Sequence, residues 1–316
     1  MNLLITGAGL AGCHAARLAV QQGHRAVLFD MAPRLDYIRQ VAGDIPVVQG
    51  DVRDLPALVE TMREHRTETV FHSAYLIGDR LASRPYSGLQ ANVGGLIALA
   101  EAVRLSGVRR LVFASTYGVY NWGLPPTAPV AENFPVRTDV FYRASKVACE
   151  SLLNAYATQY GFEWAALRFA QIYGLGHYSG GDTVGVVMHE LVASALAGGP
   201  VQLYANQFGS NELVYVKDLA RGIVSACVLP LSDGGLFNLG SGVVTDTDTL
   251  GGHLRAAFPS VEVHISPGPR AGFVPHRPQP LDLTRAKHAL GYEPKYDVAQ
   301  GIADFATELR AGVGSG

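Results

Sequence analysis

The chain is poor in the residues that announce several common designs. Among its 316 residues there are three cysteines, two tryptophans and four methionines. Cys13, Cys149 and Cys227 are too few and too scattered for a disulfide framework or a paired-cysteine metal site, and read as buried small residues in a reducing compartment. Charge of either sign is nearly balanced: 25 Lys and Arg against 27 Asp and Glu leave a net −2. That balance supplies no basic field for nucleic acid or anionic lipid. No apolar run reaches the ~18 residues that a bilayer crossing needs, and the first strand-like run begins at about Asn2, which leaves no room for a secretory leader. The expectation is a cytoplasmic protein with neither nucleic-acid nor membrane partners. Internal repeats, low-complexity tracts and coiled-coil heptads are also missing.

What is present is a core and an excess of glycine. Hydrophobic residues make up 48% of the chain, enough to rule out a disordered polymer. The length allows two domains of about 150 residues, or one large domain with an appendage. Short apolar runs at Leu3–Ile5, Ala26–Phe29, Pro46–Gln49, Thr69–His72, Leu111–Ala114 and Trp164–Phe169 alternate with helical patterns at Ala11–Gln22, Leu55–Glu64, Asn92–Leu105 and Val140–Tyr160. The runs are continuous rather than alternating, so both faces of each strand are expected to be covered. With this rhythm they predict right-handed βαβ units and a parallel sheet. The expected architecture is α/β: a doubly wound parallel sheet with a smaller C-terminal α/β substrate-binding domain, its ligand site at the carboxyl ends of the strands. Residues 1–173 are assigned to the nucleotide-binding domain, with returns from about 213–230. Residues 174–316 form the mainly substrate-binding, discontinuous remainder, with helices predicted at about Val184–Ala197, Lys217–Leu229, Thr247–Phe258, Leu283–Leu290 and Val298–Leu309.

Thr6-Gly7-Ala8-Gly9-Leu10-Ala11-Gly12 places a GxGxxG pattern between the first strand and the first helix. Gly7 is expected to make the tight turn, Gly9 to let the backbone approach a pyrophosphate, and Gly12 to let the helix pack on its strand. The helix start at Leu10 and Ala11 offers unpaired N–H groups and partial positive charge to phosphates. Asp30 closes the second strand, where a carboxylate can accept both ribose hydroxyls of an adenosine and repel a 2′-phosphate. The cofactor read from this is NAD, with nearby Arg34 the one feature that suits the phosphorylated form. Asp51 and Val52 after the third strand are placed against the adenine, and the small residues Ser73 and Ala74 after the fourth let a dinucleotide pass. His72 reads as a structural histidine.

Tyr142-Arg143-Ala144-Ser145-Lys146 sets a tyrosine and a lysine four apart on one helix face. Ser115 and Thr116 end the fifth strand at the same edge. Taking a hydride from a secondary alcohol requires removal of the hydroxyl proton. A free tyrosine, with a pKa near 10, is a poor base at neutral pH, and lowering that by three units takes about 4 kcal/mol. A neighbouring ammonium and a positive nicotinamide can supply much of it in a partly buried site. Thr116 is placed on the substrate oxygen.

Together these residues resemble the extended short-chain dehydrogenase/reductase family, the NAD-dependent epimerase/dehydratase group. The resemblance runs from Asn2 to about Leu309. It includes Gly50-Asp51-Val52-Arg53-Asp54, Asn92-Val93-Gly94-Gly95, Leu167-Arg168-Phe169, Val216-Lys217-Asp218 and Leu290-Gly291-Tyr292-Glu293-Pro294. It implies Tyr142 as acid/base, Lys146 as its partner and Thr116 as the hydroxyl residue, with Ser115 able to substitute. Asn92 and Phe169 join the cofactor set, and Tyr75, Gln171 and Arg277 join Thr116 as substrate candidates. It also implies a homodimer through Asn92–Leu105 and Val140–Tyr160. Three departures stand out. The glycine turn is one residue shorter than the family's usual form. Thr116 is followed by Tyr117-Gly118 rather than the Asp-Glu pair of 4,6-dehydratases, which argues against that activity. Ser210-Asn211-Glu212 stands where nucleotide-sugar members carry an arginine for the diphosphate, with Arg270, Arg277 or Lys295 as possible replacements.

The reading favoured is NAD-dependent hydride transfer at a secondary alcohol carbon of a sugar or sugar derivative, of the epimerase type. The alternative is net NAD-dependent dehydrogenation of a smaller, non-nucleotide polyhydroxy substrate. A non-catalytic NAD-binding regulator is the remote third reading, disfavoured because both Tyr142 and Lys146 are retained.

Overall fold

The computed structural model describes residues 1–124, 129–176, 183–204, 209–231, 234–267 and 279–313. The first half runs β1 (Asn2–Thr6), α1 (Leu10–Gln21), β2 (Arg25–Asp30), α2 (Leu35–Ala42), β3 (Val47–Gln49), α3 (Leu55–Glu64) and β4 (Thr69–His72). Two short helices, α4 (Gly78–Ala82) and α5 (Pro85–Leu89), follow, then a π turn at Gln90–Gly94 that leads into α6 (Gly95–Ser106). β5 (Arg110–Thr116), α7 (Phe141–Tyr160) and β6 (Glu163–Phe169) complete this half. The remainder holds β7 (Gln171–Tyr173), α8 (Thr183–Leu196), β8 (Val201–Tyr204), β9 (Asn211–Tyr215), α9 (Val216–Val228), β10 (Gly235–Leu239), β11 (Val244–Thr245), α10 (Thr247–Ala257), β12 (Val263–Ser266), α11 (Thr284–Leu290) and α12 (Val298–Val313).

Seven strands form one sheet in the order β10-β6-β5-β4-β1-β2-β3, every pair parallel. The continuous apolar runs are explained by two cores, one on each face. Leu3 and Ile5 of β1 enter one core and Leu4 the other, and Val112 and Phe113 of β5 divide in the same way. The local signals sit where the helices begin and end. Asp54 caps α3 by accepting from the Ala57 N–H at 3.1 Å, and Gly107 and Gly161 end α6 and α7 in the left-handed conformation that glycine adopts without strain.

The C-terminal half is not separate in space. α9 packs on α1 and on the back of β4, β5 and β6, and β10 adds the seventh strand beside β6. β9, by contrast, lies in a three-stranded sheet with β7 and β11, and β8 pairs with β12. Asp218, at the start of α9, is buried and accepts from the Lys295 and Tyr296 N–H groups at 2.8 and 2.9 Å. It thereby ties the segment before α12 to the face of the large sheet.

Candidate functional site

A cleft of about 1530 Å³ opens at the carboxyl edge of the central sheet. Its volume exceeds the several hundred Å³ typical of a single small ligand, and its walls come from the ends of β1, β2, β3, β4, β5 and β6. At one end lie Ala8, Gly9, Leu10, Asp30, Asp51, Val52 and Ala74; at the other lie Tyr75, Asn92, Ser115, Thr116, Tyr142, Phe169 and Gln171. Gly9 and Leu10 of the glycine turn and Tyr142 of the tyrosine–lysine helix, read separately, therefore line one cavity.

The three turn glycines have different physical reasons. Gly7 sits at φ +93°, and a Cβ there would lie 2.5 Å from the Ala74 nitrogen. A Cβ on Gly12 would lie 2.0 Å from the Gly7 carbonyl oxygen. Both positions are dictated by the protein itself. At Gly9, φ is −91°, open to any residue, and a Cβ would meet nothing within 4 Å. Gly9 lines the cleft, so the space its missing side chain leaves is ligand space. Beside it, α1 begins with no side-chain cap. Its first N–H groups are left for an anion. This end of the cleft fits a dinucleotide.

Asp30 is placed to complete that end. Its two oxygens accept from the Ala8 and Ala32 N–H groups, each at 2.8 Å, which fixes the carboxylate at the cleft wall. Asp51 is chelated by Arg53, whose hydrogen bonds lower its pKa. Val52 packs under the start of α6, against Gly95. Ser73, Gly7, Gly12, Ala11 and Lys146 are not part of the cleft wall. The Ser73 hydroxyl donates to the Thr6 and Gly7 carbonyls, so it braces the turn. Asn92 is buried, and its side-chain amide exchanges two hydrogen bonds with the Leu76 backbone at 2.8 and 2.9 Å. It clamps the loop after β4.

At the other end, Thr116 accepts from the Gly118 N–H at 3.0 Å. Ser115 instead donates to Glu150 Oε1 at 2.5 Å, and Glu150 is paired with Arg168 at 2.7 Å inside the protein. Lys146 is 3% exposed and donates to the Ala114 carbonyl at 2.6 Å. Burial drives its pKa down to about 7, partly offset by Cys149 and Glu150. His72 bonds Thr6 Oγ1 at 2.7 Å. Burial, reinforced by the Lys146 charge, lowers its pKa to about 3, so it is a neutral structural residue next to a cation.

Arg270 and Arg277 lie outside the described residues. Lys295 is exposed and does not line the cleft. Asn211 is fully buried and accepts from the Tyr117 hydroxyl at 3.2 Å. Glu212 is not the misplaced surface charge that its position suggests. It is 1% exposed, and it accepts from the Gly242 and Leu281 N–H groups at 2.8 and 2.6 Å. Three features escaped the sequence reading: the Glu150–Arg168 pair, the Asn92 clamp and the Glu212 cage. Each joins residues distant in the chain with no shared motif.

The family model for the NAD dependent epimerase/dehydratase family matches residues 3–240, from β1 to the end of β10. UDP-glucose 4-epimerase of Mycolicibacterium smegmatis is 31% identical over 309 residues, covering 96% of each chain. That of Bacillus subtilis is 30% identical, covering 96% of this chain and 95% of its own. Among solved structures, the UDP-glucose 4-epimerase of Stenotrophomonas maltophila with bound NAD and formylated UDP-arabinopyranose superposes with a TM-score of 0.84 at 27% identity, over the full length of both chains. The Thermotoga maritima enzyme with UDP-glucose gives 0.84 at 26% identity, over 99% and 100%.

Two outcomes test this geometry. Gly12→Ala should lower unfolding free energy by about 1–3 kcal/mol, whereas Gly9→Ala should leave the melting temperature unchanged and weaken dinucleotide binding at least about tenfold. Thermal melts and a binding titration separate the two. Burial raises the Glu212 pKa from 4.5 to about 7. Its contribution to stability is therefore full below about 4.5 and lost as pH rises through about 7. In Glu212→Gln that part of the pH dependence should vanish from denaturant melts across this window.

Proposed function

The chain belongs to the NAD-dependent epimerase/dehydratase family, and from that premise we propose that it binds NAD and epimerises a secondary alcohol carbon of a sugar carried on a nucleotide. The observation that carries this reading is the single cleft in which the Gly9–Asp30 end and the Thr116–Tyr142 end meet. Gly9, the α1 N-terminus, Asp30, Asp51 and Val52 would hold the adenosine and pyrophosphate of NAD, and Asp30 favours the form without a 2′-phosphate. NAD, when bound, would take the hydride from the substrate carbon and give it back to the opposite face.

The chain's own work is proton handling and alignment. Thr116 spends an acceptor pair on Gly118, which leaves its hydroxyl proton for the substrate oxygen. Tyr142 takes the carbinol proton, and the nearby Lys146 ammonium, 5.7 Å from the ring centre, favours the phenolate. Inversion then requires that the oxidised sugar turn in the cleft before Tyr142 returns the proton. Residues 1–173 with α9 and β10 would form the nucleotide-binding domain, and the rest mainly the substrate domain.

A second reading, net dehydrogenation of a smaller polyhydroxy substrate, is favoured by one observation: buried Asn211 where the resemblance places a diphosphate-binding arginine. An assay of UDP-hexoses, free sugars and sugar acids with NAD or NADP decides between the readings. Stereoinversion without NADH accumulation is the expected result, and stoichiometric NADH with a ketone product would favour the second reading. Tyr142→Phe should reduce turnover by at least about 10²-fold with NAD affinity retained; full activity in that variant removes the proposed base.

A homodimer is proposed through α6 and α7. The two helices pack on each other and leave Ile97, Leu105 and Tyr160 exposed at 38%, 44% and 51%. Light scattering should give twice the chain mass for the native protein and the chain mass alone for Ile97→Glu/Leu105→Glu. Among the described residues no helix is long and apolar enough to cross a membrane, and the three cysteines are free and buried. Both observations suit the proposed cytoplasmic location.

A further inference from the structure

We infer that Tyr75 is the positioning residue for Lys146, its ring face serving as the seat that holds the lysine ammonium at the end of β5. The inference rests on the assignment of Tyr142 and Lys146 as the proton-handling pair. Lys146 Nζ lies 3.4 Å from the centre of the Tyr75 ring and 4.6 Å from that of Phe113. Its hydrogen bond goes to a neutral acceptor, the Ala114 carbonyl. Among the described residues no carboxylate lies within ion-pair distance of it. A buried cation without an anionic partner is costly. The negative faces of aromatic rings are the compensation that this site offers.

The seat is itself fixed from several sides. The Tyr75 hydroxyl donates to Ser145 Oγ at 2.8 Å, and Ser145 Oγ donates to the Tyr142 carbonyl at 3.0 Å. The ring meets Tyr142 edge-on with centres 6.2 Å apart and leans on Phe113 at 6.0 Å. The next residue, Leu76, is held by the Asn92 clamp. Tyr75 therefore touches both members of the pair and registers one against the other.

Of the other groups facing the ammonium, Cys149 and Glu150 only partly offset its burial. From β4, His72 is neutral. From α7 itself, Cys149 is a buried thiol whose pKa burial raises to about 11, and Glu150 is engaged by Arg168 and Ser115. Tyr142 is the proton acceptor whose phenolate the ammonium serves. The face of Tyr75 and, farther off, that of Phe113 then keep the ammonium charged, and Tyr75 with the Ala114 carbonyl keeps it in place.

The test is Tyr75→Leu, which keeps apolar bulk without a π face, beside Tyr75→Phe, which keeps the face and loses the hydroxyl; Tyr75→Met replaces the leucine variant where that one does not fold. The first readout is the Lys146 titration, followed by NMR of lysine labelled at Cε and assigned with Lys146→Arg. The midpoint should fall by about one pH unit or more in Tyr75→Leu and stay in place in Tyr75→Phe. The second is the pH profile of kcat. In Tyr75→Leu its acid limb should move up and its alkaline limb down, a narrower bell. An unmoved Lys146 midpoint in Tyr75→Leu, or an equal shift in Tyr75→Phe, overturns the seat. Continued turnover by Tyr142→Phe would instead overturn the proton-handling assignment, and it leaves the Lys146 midpoint to judge Tyr75 independently.

Discussion

Seven parallel strands put all their carboxyl ends on one edge, and every functional side chain depends on that alignment. An antiparallel neighbour would carry half of these groups to the far side. Because the order runs β3-β2-β1-β4-β5-β6, the turn after β1 lies between the carboxylate that ends β2 and the small residues that end β4. The hydroxyls of β5 follow one strand further on. The cleft is thus a cross-section of strand ends. Its long axis runs across the sheet, and a ligand that spans it touches residues more than a hundred positions apart in the chain. The hydrogen bond between Thr6 and His72 is the local expression of this, joining two strand ends at the centre of the edge.

The six strands and the four longest helices of the first half were legible because each signal was local, whereas α2, α4 and α5 were not read. The glycine turn, the Asp54 cap and the continuous apolar runs need only neighbours a few residues away. The nearness of Tyr142 and Lys146 was legible for the same reason, since a spacing of four sets both side chains on one helical face. The last strand was not. Gly235–Leu239 joins the sheet by pairing with β6, some seventy residues earlier, and nothing in a five-residue run announces which sheet it enters. Side-chain contacts made across the fold were hidden in the same way. Asn92 and Ser115 have the right chemistry to meet a ligand. Both line the cleft, and what also ties them to the Leu76 backbone and to Glu150 is contact across the fold. Glu212 is the sharpest case: by position a charge in the wrong place, by structure a buried acceptor for two backbone N–H groups.

Burial sets the electrostatics at the chemical end. Three groups there already have their partners or their charge state set: His72 is neutral, Glu150 is ion-paired, and Ser115 donates to that same carboxylate. What is left is the Lys146 ammonium among aromatic rings, near the Tyr142 phenol at the cleft wall. The dinucleotide end is organised differently, with backbone N–H groups and a carboxylate held by two of them. One end of the cleft is built from main chain and the other from side chains, so substitutions should be tolerated unequally along it.

The late entry of β10 also has a consequence for biosynthesis. While the chain is being made, β6 stands as an open sheet edge, with unpaired N–H and C=O groups, until residue 239 has emerged; such an edge is a template for pairing with another chain. α9 is made immediately before β10 and covers the same region of the sheet. The nascent protein thus lays down a lid over the back of the sheet before it closes the rim.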